Sequence, residues 1–407
     1  MTTARFVRRG ALRRHEVLLG VVSVAAMAAG IALMGSADAT TAGGDVRAAT
    51  SPSAIPGSYL VMLKDHAMSR SAVATAAQGM VARHGGSVHQ TWASAVRGFE
   101  LRGSERTARQ IARDPAVAYV EQNQVVRALA TQKNPPSFGL DRVDQRRLPV
   151  DRSFTAPSTA ANVQAWIIDS GIRVTHRDFG GRARFMVNAV NDGIDTDCNG
   201  HGTHVAGTVG GSAFGLAKAV QLFAVKVIDC TGSGDAASVI TGVNFVTQHA
   251  KLPAVANMSI GGPASAAIDA AVNGSIAAGI VYSIAAGNEN QDACNDSPAR
   301  VPAAITVAAS DRRDARAGFS NVGGCVDIFA PGVGITSDFA NADNATRVLD
   351  GTSMSTPHVT GAAAIILGRN PNLTPQQVRD KLVADATPNV VANANGSANR
   401  LLFIAQN

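Results

Sequence analysis

Charged and aromatic residues are both scarce in this 407-residue chain, at 16% and 4% against 46% hydrophobic. That balance belongs to a globular protein with length enough for two or three domains. A basic face is missing too. The formal charge is +6, yet residues 130–407 sum to about −1 and leave about +7 in front of them. A nucleic-acid-binding body would carry its basic excess on the folded part, so that class of partner is excluded. There is no internal repeat and no long low-complexity tract. After residue 35 no apolar run is long and unbroken enough to span a bilayer. Cysteine is limited to Cys198, Cys230, Cys294 and Cys325.

Glycine, by contrast, is frequent, with 40 residues, and with the many alanines it suits helices packed close to a sheet. The charge asymmetry has its source in the first 39 residues. A basic "ARFVRRGALRRH" leads into an apolar stretch over residues 17–35, and "SADA" closes it with a small-x-small ending. This reads as a secretory signal peptide, with Arg8-Arg9 a faint sign of twin-Arg export. A membrane anchor is the rival reading, which the small-residue ending disfavours. Membrane contact is then expected only during export. An even cysteine count in an exported chain suggests disulfides, with buried free thiols as the alternative. Four cysteines allow three connectivities, and each closure would contribute roughly 3–4 kcal/mol.

Residues 40–57 are rich in Gly, Ala, Ser and Pro and read as linker. From about 58 to 127 the patterns run strand, helix, strand, strand, helix, strand. That is the order of a ferredoxin-like split β-α-β unit. "ATQKNPPSFG" (130–139) marks a boundary. Beyond it, apolar runs such as "NVQAWIID", "QLFAVKVID" and "GIVYSIAAG" alternate with helical patterns. The expected fold is α/β, a doubly wound and mostly parallel sheet with helices on both faces, preceded by the small α+β unit.

Chemistry on such a sheet gathers at the carboxyl ends of the strands. Four residues are expected there. Asp169 ends the apolar run "AWIID", where a turn-capping role is the plainer reading. His201 opens the helix "HGTHVAGTVGG". His204, three residues on, raises a metal reading, but the Glu of H-E-x-x-H is absent, so His201 reads as a base and His204 as structural. Asn288 follows "VYSIAAG" and could donate to a developing oxyanion or simply make a turn. Ser353 lies in "DGTSMSTPH" at a helix start, where N–H groups and the helix dipole favour an anion. Pro357 falls near the first turn, where a missing N–H costs little. A serine needs a base, and the base needs an orienting carboxylate. The order here is Asp, His, Asn, Ser. An α/β-hydrolase would run Ser, Asp, His with G-x-S-x-G, and Ser355 stands where that elbow has its last Gly.

"DSGI", "HGTHVAGT", "AAGNEN" and "GTSMSTPH" together resemble the subtilisin-like serine proteases, whose order Asp…His…Ser is the one found here. "GLDRVDQRRLP", "THRDFGGRAR", "CNDSPARVPAA", "CVDIFAPG" and "NRLLF" are similar to the proteinase K branch, and most of all to its aqualysin-like secreted members. The likeness covers nearly all of 130–407. It departs at Ser355, where Ala is usual. It implies Asp169 as orienter, His201 as general base and acid, Ser353 as nucleophile and Asn288 as oxyanion donor beside the Ser353 N–H. It implies bridges Cys198–Cys230 and Cys294–Cys325. It implies substrate strands at Ser233-Gly234 and Ser259-Ile260-Gly261, with an S1 wall of Ala285-Ala286-Gly287 that suits apolar or aromatic P1 residues.

The same likeness implies structural Ca2+ and no catalytic cofactor. One calcium site would use the carbonyls of Pro302 and Ala304 with Asp327. A second would use Asp141, Asp144, Gln145, Asp151 and Ser153. On this reading 1–39 is a signal peptide and 40–129 a propeptide that inhibits the enzyme and assists its folding. Residues 130–407 are the catalytic domain, a monomer acting on polypeptides, secreted and extracellular. Two other classes compete: a body of this fold without activity, which loss of a triad residue would mark, and a serine esterase, which the chain order disfavours.

Overall fold

The computed structural model describes residues 44–50, 54–64, 69–124 and 131–405. The expected signal segment and the expected processing point near Ala130 lie outside them. The chain divides into a smaller unit centred on Tyr59–Glu121 and a larger one running from Gln122.

The smaller unit contains β1 (Val46–Arg47), β2 (Ala54–Leu63), α1 (Val73–His84), β3 (Ser87–Trp92), β4 (Gly98–Arg102), α2 (Glu105–Ile111) and β5 (Val117–Gln124). Its sheet order is β1-β5-β2-β4-β3. Without β1, the strands of the β-α-β-β-α-β chain appear in the order fourth, first, third, second. Helix α1 buries Val73, Ala77, Met80 and Val81, a stripe at spacings of four, three and one that matches the helical period. Ser104 caps α2 by accepting from the Thr107 N–H at 3.1 Å. Two features differ from expectation. β2 starts at Ala54, inside the stretch read as linker, and Val46–Arg47 pairs with Val120–Glu121. The partner strand fixes both, and Gly/Ser/Pro composition hides them.

The larger unit opens with a hairpin of β6 (Thr131–Lys133) and β7 (Ser153–Thr155) around α3 (Phe138–Val143). Then follow β8 (Gln164–Asp169), β9 (Ala183–Asn188), α4 (His201–Gly210), β10 (Gln221–Lys226), α5 (Ala236–His249), β11 (Ala254–Met258), β12 (Gly262–Pro263), α6 (Ala266–Ala277), β13 (Val281–Ala285), β14 (Asp296–Ser297), β15 (Ile305–Ser310), β16 (Ile328–Pro331), β17 (Ile335–Asp338), β18 (Thr346–Leu349), α7 (Thr352–Arg369), α8 (Pro375–Asp385), β19 (Thr387–Pro388) and β20 (Arg400–Leu401). Nine strands form one sheet in the order β19-β20-β16-β15-β13-β11-β8-β10-β9. Every pair in it is parallel except β19 with β20.

Strand β8 shows why its run is apolar without alternation. Ala165 and Ile167 enter the core under α4 and α7, while Trp166 and Ile168 enter the core under α5 and α6. A strand buried on both faces has no polar side to show. Each fully buried Ile contributes on the order of 1.5–3 kcal/mol. Both bridges form as the family likeness implies, Cys198–Cys230 and Cys294–Cys325, with Cα atoms 4.9 and 5.4 Å apart.

Candidate active site

Asp169 is the last residue of β8 and is fully buried. Its carbonyl is held by the N–H groups of Val227 and Ile228. Its Oδ1 accepts from the Ser170 N–H and lies 2.7 Å from His201 Nδ1. Helix α4 begins at His201, and side chains satisfy its first N–H groups. Asn199 Oδ1 takes that of His201, Ser170 Oγ that of Gly202 and Asp197 Oδ2 that of Thr203. Asp197 also accepts from Ser170 Oγ, Asn199 N, Gly200 N and Thr203 Oγ1, all within 3.0 Å. An anion at this end complements the helix dipole. Gly202 is demanded by contact, since a Cβ there would stand 2.2 Å from the Gly171 carbonyl oxygen.

Burial pulls the His201 imidazole down. The charge and hydrogen bond of Asp169, helped by Asp197, outweigh it and hold His201 above its ordinary value. One turn along, His204 is fully buried. Its Nε2 lies 3.1 Å from the carbonyls of both Ile335 and Arg347, and its Nδ1 has no partner among the described residues. Burial drives it down to about 4. With Nε2 serving as a donor to two carbonyls, His204 holds β17 and β18 to α4 and offers no lone pair to a metal on that side.

Ser353 is the second residue of α7, after Gly351 at φ +150°, a conformation only glycine adopts comfortably. The Ser353 hydroxyl donates to the Ser259 carbonyl at 3.1 Å, and Ser259 Oγ donates back to the Ser353 carbonyl at 2.9 Å. Helix α7 starts at Thr352, so Pro357 lies in the second turn rather than the first. Its missing N–H is the one that would have bonded the Ser353 carbonyl, which frees that oxygen for Ser259. Asn257 Nδ2 donates to Ser259 Oγ and Thr360 Oγ1 donates to Asn257 Oδ1, a buried chain that fixes the tether. Asn288 has its Oδ1 pinned by the N–H and Oγ1 of Thr352, at 2.9 and 3.0 Å. Its NH2 is therefore the end left to donate. Ser355, without a role in the sequence, donates to the Ala330 carbonyl at 2.9 Å and ties α7 to β16.

Asp197, Thr352, Asn257 and Thr360 escape the sequence reading. Only Asp197 leaves a local signal, a helix-start acceptor shortly before "GHGTH".

His201, Ser233, Gly234, Ser259, Ile260 and Gly261 line one open cleft of about 550 Å3. Ala285 and Ala286 are not among its lining; Ala285 ends β13, Ala286 follows it, both are buried, and Gly287 comes next at φ +103°.

The two residue sets expected to hold calcium differ. Asp327 Oδ1 is engaged by Nε and Nη2 of Arg379, and Oδ2 accepts from the Thr306 N–H at 2.8 Å. A guanidinium on this carboxylate does not fit a calcium ion beside Pro302 and Ala304. Around Asp141, Asp144 and Asp151 no such cation stands among the described contacts. Gln145 Nε2 lies 2.8–2.9 Å from Asp141 O, Asp141 Oδ1 and Asp151 Oδ1. Ser153 donates to Asp151 from both N and Oγ. Asp144 Oδ1 is buried with no partner among the described residues, and burial first, then Asp151 and Asp141, push its carboxyl up to about 6 against the pull of the Thr155 N–H. Hard oxygens crowded around an amide NH2, with one orphaned, fit a calcium ion. Asp192, Cys198 and Cys230 also cluster, but both sulfurs are in the disulfide and Asp192 pairs with Lys226 at 2.8 Å.

Residues 162–401 match the model of the Subtilase family. The chain is 46% identical over 371 residues to "Extracellular serine proteinase" of Thermus sp. (strain Rt41A), covering 86% of this chain and 90% of that protein. It is 44% identical to "Alkaline serine exoprotease A" of Vibrio alginolyticus, over 78% of this chain and 60% of that one. Among solved structures it is similar to a cold adapted subtilisin-like serine proteinase, at 48% identity and TM-score 0.64, over 66% of this chain and 97% of that one.

Proposed function

The chain belongs to the subtilase family of serine endopeptidases, and from that premise we propose that Asp169, His201 and Ser353 are its catalytic triad and Asn288 its oxyanion donor. The observation that carries this reading is the 2.7 Å contact of Asp169 with His201 Nδ1. Asp169 holds the tautomer in which Nε2 is basic, and the raised imidazole makes a better proton acceptor.

At rest the Ser353 hydroxyl spends its proton on the Ser259 carbonyl. An extended peptide pairing with Ser259-Ile260-Gly261 brings main-chain N–H groups to that strand. One of them takes over the Ser259 carbonyl and releases Oγ to His201. Nε2 accepts the proton as Oγ attacks the scissile carbonyl carbon. The oxyanion receives hydrogen bonds from Asn288 Nδ2 and the Ser353 N–H. The intermediate collapses, His201 passes the proton to the departing amine, and an acyl-Ser353 ester remains. Water, deprotonated by His201, then frees the acid. The small, uncharged wall Ser259-Ile260-Gly261, which lines the cleft, favours apolar or aromatic P1.

The relatives' names support secretion, and among the described residues no helix is long and apolar enough to cross a membrane. Residues 1–39 act as the export signal. Residues 40–129 act as an inhibitory propeptide, removed by the enzyme itself near Ala130, and the folded β-α-β-β-α-β unit supports this. Asp141, Asp144, Gln145 and Asp151 would hold a structural calcium that neutralises their mutual repulsion. A peptidyl fluorophosphonate tests the nucleophile: one equivalent should add to Ser353, located by peptide mapping, and the adduct should be lost in His201→Ala. Labelling elsewhere, or labelling that survives His201→Ala at full rate, would overturn the reading.

A further inference from the structure

Beyond Asn199 and His201, the cleft that runs past His201 is lined mostly by glycine, serine, proline and aliphatic side chains, including Ile228, Ala236, Val239, Ile260 and Ile268. Apart from His201, one ionisable side chain lines it, Asp235. Asp235 directly follows the Ser233-Gly234 segment. It precedes α5 as its N-cap, with Oδ1 accepting from the Ser238 N–H at 2.7 Å. That bond lowers the pKa of its carboxyl from the ordinary carboxylate value, so the group is an anion at every pH where His201 is neutral. The cap also fixes the charge in place at the cleft wall. No Lys or Arg lines the cleft to neutralise it.

We infer that Asp235 gives the enzyme a preference for a Lys or Arg side chain on the acyl side of the scissile bond, at one position among P2, P3 and P4, while P1 stays apolar. This rests on the reading of Ser233-Gly234 as a substrate strand. An extended peptide advances about 3.3 Å per residue and alternates its side chains, so a single position faces Asp235. The apolar wall around the anion takes the aliphatic stem of the basic residue and the carboxylate takes its head. Since Asp235 is exposed, the preference is of the size of a surface charge pair, about three- to fivefold.

The experiment compares kcat/KM for a chromogenic peptide series with Phe at P1 and Lys, Gln or Glu placed in turn at P2, P3 and P4, using wild type, Asp235→Asn and Asp235→Lys. Asn retains helix capping, so the fold is kept. At one position wild type should favour Lys over Gln over Glu. The order should flatten in Asp235→Asn, reverse in Asp235→Lys, and fade at about 1 M salt, where the Debye length is about 3 Å. Absence of any Lys-over-Glu preference, or its survival in Asp235→Asn, overturns the inference. Ser353→Ala separates the layers. Peptide turnover that survives in it refutes the active-site reading, whereas turnover that vanishes there but ignores the charge at P2–P4 refutes only the role of Asp235.

Discussion

His201 and His204 lie one turn apart on the same helix and meet opposite surroundings. His201 touches a buried carboxylate and opens on the cleft, and its affinity for a proton rises. His204 touches two carbonyls in a sealed interior, and its affinity falls to about 4. Residue type is the same and spacing is helical. What separates the proposed base from the brace is what each ring faces, and that is set by β8 on one side and by β17 and β18 on the other.

The comparison breaks most sharply by exchanging losses. His201→Ala should lower kcat by about 10⁶-fold with little change in melting temperature. His204→Leu should do the reverse. It removes the hydrogen bonds from Nε2 to the Ile335 and Arg347 carbonyls, at a cost of about 1 kcal/mol in stability, while the purified folded enzyme keeps most of its turnover. If His204→Leu abolished turnover in a folded protein, the brace reading would fail.

Asp169→Asn sharpens the same contrast, with kcat falling about 10⁴-fold. A base must be neutral to act, so activity is lost as pH drops through the His201 value. In wild type the acid limb of kcat/KM should therefore lie above about 6.5, and in Asp169→Asn its midpoint should move down. An unmoved limb would detach Asp169 from His201.

A second pair repeats the lesson with carboxylates. Asp327 has found a guanidinium and Asp144 has found none. Chelation should lower the melting temperature of wild type and of Asp327→Asn alike, and leave Asp144→Asn almost unmoved. With calcium at a hundredfold excess over its dissociation constant, the stabilisation lost is about 2.7 kcal/mol. The opposite dependence would return the ion to Asp327.

The smallest expected effect concerns Asp338, fully buried, with His176 Nδ1 3.5 Å from its Oδ1 and Asp178 as its neighbour. Burial and then the neighbouring Asp178 push it up to about 8, against a smaller pull from Arg182. The folded state keeps this proton after the unfolded state has released its own. The stability present below about pH 4 is therefore lost progressively as pH rises toward 8. Asp338→Asn should remove that slope and gain more in melting temperature at pH 8 than at pH 5.

Much of this was legible in the chain. Asp169, His201, Asn288 and Ser353 each follow an apolar strand or open a helix, so local pattern gave their places, while their expected roles came from the set together and from the family likeness. The sheet followed from alternating strands and helices, and the smaller unit from its element order. The supporting residues were hidden for a physical reason. Thr352 acts on Asn288 across 64 positions and Thr360 on Asn257 across 103. Such hydrogen bonds exist only once the helices have packed. Arg379 reaches Asp327 in the same way, which is why a carboxylate that reads as a calcium ligand is paired with an internal cation instead. Ser355 looked like an unexplained departure until the Ala330 carbonyl appeared opposite it.

The central claim is that Ser353 is the nucleophile of a self-processing peptidase. The most direct measurement is the intact mass and chromogenic-peptide turnover of wild type beside Ser353→Ala, both expressed as the full chain. The account predicts that wild type shortens itself near Ala130 and turns over peptide, while Ser353→Ala keeps residues 40–129 and is inactive. A Ser353→Ala chain that still processes itself and hydrolyses peptide would contradict it.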